Sequence, residues 1–177
     1  MTPARLRLPP VIRDEIIAHA RAGAPEEVCG LLGGQSGHVT TLIRGHNEAA
    51  NRLTRYQLDG ETLLQQFVLE ERGETLLALY HSHPTDAAYP SALDAAYAFY
   101  PDAVYVICSL QEPESPVVRG YRLVQHALTK PPAGVKPVAG EPGLAARQHA
   151  TGYDLIWQET GSRARWLRVT VDEITLD

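Results

Sequence analysis

Cysteine is scarce in this sequence: the 177 residues include only two, Cys29 and Cys108. Both lie within apolar runs, where a thiol is usually buried as a small apolar side chain. Two such residues do not provide the disulfide framework of a small secreted protein. We therefore expect both thiols to be reduced and the protein to be cytoplasmic.

An excess of positive charge is also missing, because 16 lysines and arginines face 21 aspartates and glutamates. A formal net charge of -5 without a basic patch argues against a nucleic-acid partner. No apolar run approaches the ~20 residues of a transmembrane helix. The first ten residues also lack the apolar segment of a secretory signal, so we expect neither a signal peptide nor a membrane span.

What remains is the composition of an ordinary globular protein, with 44% hydrophobic and 21% charged residues. Prolines and glycines cluster between Lys130 and Gly143, which is typical of a linker. Beyond them, two strand-like segments flank a Gly161-Ser162 turn. We predict a main domain over 1–130, a linker over 131–145 and an appended β-hairpin over 146–177.

The main domain alternates helical and strand-like patterns. Apolar residues at helical spacing predict helices over 11–22, 61–72 and, more weakly, 91–100. Strand patterns, with a Gly-Gly turn closing the first of them, occur over 28–34, 38–44, 54–58, 75–80, 103–110 and 117–124. This order predicts one mixed sheet flanked by helices, an α/β sandwich.

Two histidines stand at the end of the apolar run 75–80. His81 and His83 are two residues apart, and side chains at that spacing point to the same face of a strand. Asp94 opens the next helical segment and offers a carboxylate. Two histidines and a carboxylate with an open fourth position form the ligand set of a catalytic zinc ion. We predict a metal site at His81, His83 and Asp94.

A hydrolytic zinc site also needs an acid/base group, and either Glu26 or Glu27 could supply it from the start of the strand 28–34. Ser91 could donate its hydroxyl to an oxyanion. The spacing of Ser91 and Asp94 also matches a helix capping box. The two roles are compatible, because a capped first turn would hold the aspartate rigid.

These residues resemble the motif of the JAMM (MPN-plus) metalloproteases. The run His-Ser-His-Pro at 81–84 and the run Ser-Ala-Leu-Asp at 91–94 match its H-x-H-P and S-x-x-D parts. The family's glutamate stands three residues before a glycine, which matches Glu27 before Gly30 and favours it over Glu26. Over 6–124, the resemblance implies a cytidine-deaminase-like α/β fold, a Zn²⁺ cofactor and hydrolysis of amide or isopeptide bonds.

Within that family the chain is most similar to the compact bacterial branch. The similar segments are 27–30, 56–59, 80–83, 88–91, 101–105 and 119–123. The resemblance implies a ubiquitin-like sulfur-carrier protein as substrate, cleaved after its C-terminal Gly-Gly to release cysteine or a conjugated residue. The carrier's tail would lie as an added strand beside the site. The residues leave open whether the protein is a monomer or a homodimer.

Two further hypotheses belong to different classes. Cys29 could act as a thiol nucleophile beside a histidine, although a buried structural thiol is the more common case. Alternatively, the chain could be a non-catalytic MPN scaffold that binds partner proteins. Scaffold members usually lack the ligand residues, all of which are present here.

Overall fold

The computed structural model describes residues 5–177, which contain three helices and ten strands. In chain order these are β1 Arg5–Leu6, α1 Pro10–Gly23, β2 Cys29–Gln35, β3 His38–Arg44, α2 Gly60–Glu71, β4 Thr75–His83, α3 Ala92–Ala96, β5 Val104–Ser109, β6 Val117–Ala127, β7 Lys136–Pro137, β8 Leu144–His149, β9 Gly152–Trp157 and β10 Arg165–Leu176. Across residues 5–177, every helix is too short or too polar to cross a membrane.

The described residues form two compact units. The first unit comprises residues 5–89 together with Asp102–Tyr121 and Glu173–Asp177. The second comprises Pro90–Pro101 and Arg122–Asp172. The segment that carries α3 therefore packs with the C-terminal part of the chain.

The first unit is built on a mixed sheet with the strand order β3-β2-β4-β5-β6. Strand β4 runs parallel to β5, whereas the pairs β3–β2, β2–β4 and β5–β6 are antiparallel. Strand β1 adds a short parallel pairing with the end of β10, where Leu6 lies opposite Leu176. The predicted mixed sheet is confirmed, and β4 lies at its centre.

Helix α1 covers one face of this sheet. Its first residue is a proline, whose fixed φ suits the first turn of a helix, and Ile12, Ile16 and Ala20 line its buried side. These side chains join the core of the first unit together with residues of β2 and β4 such as Leu32 and Tyr80. The predicted helix 11–22 is confirmed.

Helix α2 packs on the opposite face, where Leu69 fills the space above Gly33. Asp59 caps its N-terminus by accepting a hydrogen bond from the Thr62 amide. Gly73, with a positive φ, follows its end, as the glycine in the sequence predicts. Helices on both faces of a mixed sheet make the first unit the predicted α/β sandwich.

Two local predictions need correction. Residues 54–58 form no strand, and only Leu58 makes an isolated antiparallel bridge, with Asn47. The side chain of Asn47 bonds to the Arg55 carbonyl and the Gln57 amide, which strand pairing would use. The helix predicted over 91–100 covers only Ala92–Ala96. After it, Tyr97 and Phe99 turn their rings towards Trp157 instead of continuing the helix.

The second unit is an antiparallel sheet that carries α3. Strands β9 and β10 pair over Trp157 to Gly152, which confirms the appended hairpin. Strand β8 extends the sheet beside β9, and the short β7 pairs with β8. The predicted linker 131–145 thus contains β7 and the first residues of β8.

Candidate metal centre

The predicted metal ligands His81 and His83 end a strand that is buried on both sides. Their side chains are 1% and 5% exposed. Cys29 of β2 lies opposite His81, and Ser109 of β5 lies opposite His83. Because both neighbouring strands extend to the histidines, the two imidazoles project from a rigid part of the sheet.

The two imidazoles converge on one point, with their Nε2 atoms 3.0 Å apart. Two nitrogens bound to one tetrahedral zinc ion lie about 3.3 Å apart, given bonds of 2.0–2.1 Å. His83 donates its Nδ1 proton to the Ala87 carbonyl over 2.8 Å. This bond selects the neutral tautomer whose Nε2 carries a lone pair, as a metal-binding histidine requires.

The loop after His83 is held by side-chain hydrogen bonds to three successive backbone carbonyl groups. The Ser109 hydroxyl donates to the Asp86 carbonyl, His83 to the Ala87 carbonyl, and the Tyr121 hydroxyl to the Ala88 carbonyl. Each donor side chain belongs to β4, β5 or β6. The path of the loop as far as Ala88 is therefore set by the sheet of the first unit.

Ser91 and Asp94 form the predicted capping box at the start of α3. The Ser91 hydroxyl accepts a bond from the Asp94 amide at 3.1 Å. In return, Asp94 Oδ2 accepts from the Ser91 amide at 2.7 Å and from its hydroxyl at 2.8 Å. The cap therefore orients the carboxylate as well as starting the helix.

His81, His83 and Asp94 each offer one ligand atom, and these atoms all lie within 4.8 Å of one another. The group could bind a metal ion. Two imidazoles and one carboxylate suit a divalent transition metal that accepts nitrogen and oxygen ligands.

Glu27 lies two residues before β2, on the side of the histidines. The amide of Val28 donates to the Ser82 hydroxyl, and the Ser82 amide donates to the Val28 carbonyl, each over 2.9 Å. Continuing this register by one residue places Glu27 opposite His83, and directly opposed side chains share one face. Glu27 is 7% exposed, whereas Glu26 is exposed and pairs with Arg52.

Two residues near this group were not singled out by sequence reasoning. Asn47 is buried and donates its side-chain amide to the carbonyls of Glu27 and Arg55. The ring of Tyr56 stacks on His81 at a centroid distance of 4.4 Å. Tyr56 lies in a segment that resembles the bacterial branch, but no local pattern marks Asn47.

The cysteines do not have the environment of nucleophiles. Burial, with smaller contributions from Asp59 and Glu27, raises the pKa of the Cys29 thiol to about 12. Burial likewise raises the pKa of Cys108 to about 11. A reactive thiol needs a lowered pKa, so the hypothesis of a Cys29 nucleophile is disfavoured.

The family model described as prokaryotic homologs of the JAB domain matches residues 9–124. This range contains β2, β4 and α3, and with them all the residues of the metal group. The chain belongs to the prokaryotic JAB family.

Several curated relatives match this JAB-family chain over most of their own length. The CysO-cysteine peptidase of Mycobacterium tuberculosis is 37% identical over 129 residues, which are 69% of this chain and 85% of that protein. The desampylase of Haloferax volcanii is 41% identical over 117 residues, which are 62% of this chain and 84% of that protein.

A third relative and a solved structure extend the comparison. The probable TtuB-protein conjugate cleaving protease of Thermus thermophilus is 39% identical over half of this chain and 60% of that protein. The solution structure of a Desulfitobacterium hafniense protein has a TM-score of 0.59 and 34% identity. It covers 66% of this chain and 82% of that protein.

Proposed function

We propose that this chain is a zinc metallopeptidase that cleaves the amide bond after the C-terminal glycine of a ubiquitin-like sulfur-carrier protein. The observation that carries this proposal is the group of His81, His83 and Asp94, whose ligand atoms lie within 4.8 Å. The donor set and the 3.0 Å separation of the two Nε2 atoms fit a tetrahedral zinc ion. The fourth ligand position would remain open for chemistry.

A zinc ion at this position would polarise the scissile carbonyl and lower the pKa of water to about 7. Glu27 would accept the proton of the attacking water as it adds to the carbonyl carbon. When the carbon–nitrogen bond breaks, Glu27 would return that proton to the leaving amine. The products are a carrier with a free C-terminal carboxylate and a molecule with a free amine.

Ser91 would have two tasks in this reaction. Its hydroxyl holds Asp94 Oδ2 in the structure, over 2.8 Å. When the hydroxyl turns to donate to the developing oxyanion, the Ser91 amide still binds the same carboxylate oxygen over 2.7 Å. Asp94 would therefore keep its orientation while Ser91 stabilises the transition state.

The substrate class rests on sequence similarity. The relatives are a CysO-cysteine peptidase, a desampylase and a probable TtuB-protein conjugate cleaving protease. These three relatives are 37% to 41% identical to this chain over the matched residues. A sulfur carrier extended beyond its terminal Gly-Gly is the substrate class that fits these names and the motif.

The test is mass spectrometry of candidate sulfur carriers, each extended by cysteine or a short peptide beyond Gly-Gly, after incubation with zinc-loaded protein. We expect loss of the extension alone. The Glu27→Gln variant should bind one equivalent of zinc and lose activity by at least ~100-fold, the typical range for a general acid/base. The neighbouring Glu26→Gln variant should keep its activity, because Glu26 is exposed and pairs with Arg52.

Two results would contradict the proposal. Full activity of zinc-loaded Glu27→Gln would exclude the assigned acid/base role. A correctly folded wild-type protein that stays metal-free at micromolar zinc would instead support a non-catalytic scaffold.

A further inference from the structure

The C-terminal part of the chain lies beyond residues 9–124, the range that the family model matches. We propose that this part is a clamp for the helix that carries Asp94, and that Gln125 and Tyr153 are its positioning residues. The inference rests on the proposed zinc site, since Asp94 is one of its ligands. It assigns a role to the second unit within the same reaction.

Helix α3 needs support because it is very short. It spans only the five residues Ala92–Ala96, and its N-terminal cap accounts for one end. Isolated helices shorter than about 12 residues are barely stable in water, because forming the first turn costs more conformational free energy than its hydrogen bond provides. The position of Asp94 therefore depends on what holds this single turn in place.

Two side chains from the second unit bind the backbone on either side of Asp94. The hydroxyl of Tyr153 donates to the Pro90 carbonyl over 2.8 Å, in a buried contact. The side-chain amide of Gln125 donates to the carbonyls of Ala95 and Ala96, each over 2.9 Å. The first bond lies just before the N-terminal cap, and the other two lie at the end of the helix.

Aromatic packing adds a further contact at the same end. Tyr97, which caps the C-terminus of α3, meets Trp157 edge-to-face at a centroid distance of 5.2 Å. Trp157 is 6% exposed and belongs to β9, as does Tyr153. The last two carbonyl groups of α3 and its C-terminal capping residue are thus bound by side chains from β6 and β9.

The clamp residues are themselves held by neighbouring strands. Arg165 of β10 donates to the Gln125 side-chain oxygen over 3.1 Å, which fixes the amide with its nitrogen towards α3. Asp154, next to Tyr153, is fully buried and binds Arg147 of β8 and Arg168 of β10. These bonds join β8, β9 and β10, so the Tyr153 hydroxyl projects from a fixed backbone.

The test measures zinc affinity by chelator competition in the full-length protein, alongside the midpoint of chemical unfolding. Tyr153→Phe removes only the hydroxyl. Gln125→Glu keeps an acceptor for Arg165 but removes the amide donor. We expect each variant to weaken zinc binding several-fold and the double variant to weaken it at least tenfold, as loss of supporting contacts typically does.

Gln158→Glu is the matched control for Gln125→Glu. The Gln158 amide also donates to a backbone carbonyl of the second unit, that of Ser162, over 2.9 Å. It makes no contact with α3 among the hydrogen bonds described for residues 5–177. This variant should bind zinc as the wild type does.

A double-mutant cycle with Asp94→Asn separates positioning from a general loss of stability. In that background the two histidines bind the metal without the aspartate, so the Gln125 and Tyr153 changes should no longer alter zinc affinity. The proposal is wrong if the double variant binds zinc like the wild type, or if its loss persists in Asp94→Asn. Failure of the wild type to bind zinc would contradict the proposed function instead.

Discussion

The side-chain amide of Asn47 donates to the backbone carbonyl of Glu27 over 2.9 Å. The same amide donates to the Arg55 carbonyl over 3.1 Å, next to the Tyr56 ring that stacks on His81. The Asn47 oxygen accepts from the amides of Ala49 and Gln57, each over 3.0 Å. One buried side chain thus holds both the backbone of Glu27 and the segment whose Tyr56 stacks on His81.

Asn47→Asp should destabilise the protein by about 2 kcal/mol, since a carboxylate oxygen would face two carbonyl groups that lose their donor. The matched control is Asn51→Asp, because Asn51 makes comparable local bonds in an exposed loop. The control should change the free energy of unfolding by less than ~0.5 kcal/mol. Urea denaturation at pH 7 measures the free energy of unfolding of both variants. Equal losses would show that the buried contacts of Asn47 stabilise the protein no more than the exposed ones of Asn51.

Activity should respond to chelators but not to thiol reagents. With a pKa of about 12, Cys29 is a thiolate in only roughly one molecule in 10⁵ at pH 7. Iodoacetamide treatment of the folded protein should leave hydrolysis unchanged, whereas a strong zinc chelator should abolish it and added zinc should restore it. Loss of activity through alkylation, with zinc retained, would revive the thiol mechanism.

Gly30→Ala should destabilise the protein by about 2 to 3 kcal/mol. An added Cβ would overlap the Tyr80 ring and the Ile43 carbonyl. Tyr80 has little freedom to move, because it is fully buried and its hydroxyl lies 2.8 Å from His19 Nδ1.

The control for this substitution is Gly60→Ala, at the first residue of α2, where no heavy atom lies within 4 Å of the added Cβ. This variant should be neutral or stabilised by about 0.5 kcal/mol, because alanine favours the helix. Thermal or urea unfolding of both variants checks the contrast. A stable Gly30→Ala variant would mean that β2 and β4 are less tightly packed beside the histidines than the structure indicates.

The acid stability of the second unit should depend on Asp154. The hydrogen bond from Arg168, with a further one from Arg147, holds the pKa of Asp154 below its ordinary value. A lowered folded-state pKa stabilises the protein above the unfolded value of about 3.9, and this contribution is lost as the pH falls through the folded-state pKa.

Asp154→Asn should therefore lower the urea midpoint at pH 7, and its difference from wild type should shrink as the pH falls from about 5 to below 3. Asp172→Asn, which removes an exposed ion pair with Arg122, is the control and should have a small effect at every pH. A constant difference between Asp154→Asn and wild type over this range would rule out the ion pairs as its cause.

The residues of the site could be predicted from the sequence where they are close to one another along the chain. His81 and His83 share a strand face because strands repeat every two residues, and Ser91 and Asp94 are joined by a capping box that spans four residues. Local patterns of this kind need no knowledge of distant contacts. The prediction of a strand over 54–58 was wrong because this segment depends on a contact from elsewhere in the chain. The side chain of Asn47 bonds to backbone groups of Arg55 and Gln57 that strand pairing would use.

By itself the sequence determined the helices bounded by proline, aspartate and glycine, the mixed order of strands, and the types of side chain available to a metal. Only the tertiary structure decided that Asn47 secures Glu27 and that Gln125 and Tyr153 bind the backbone around Asp94. These contacts join residues 20 to 63 positions apart. Such pairs arise from the register of strands and the packing of distant segments within each unit, which no local periodicity encodes.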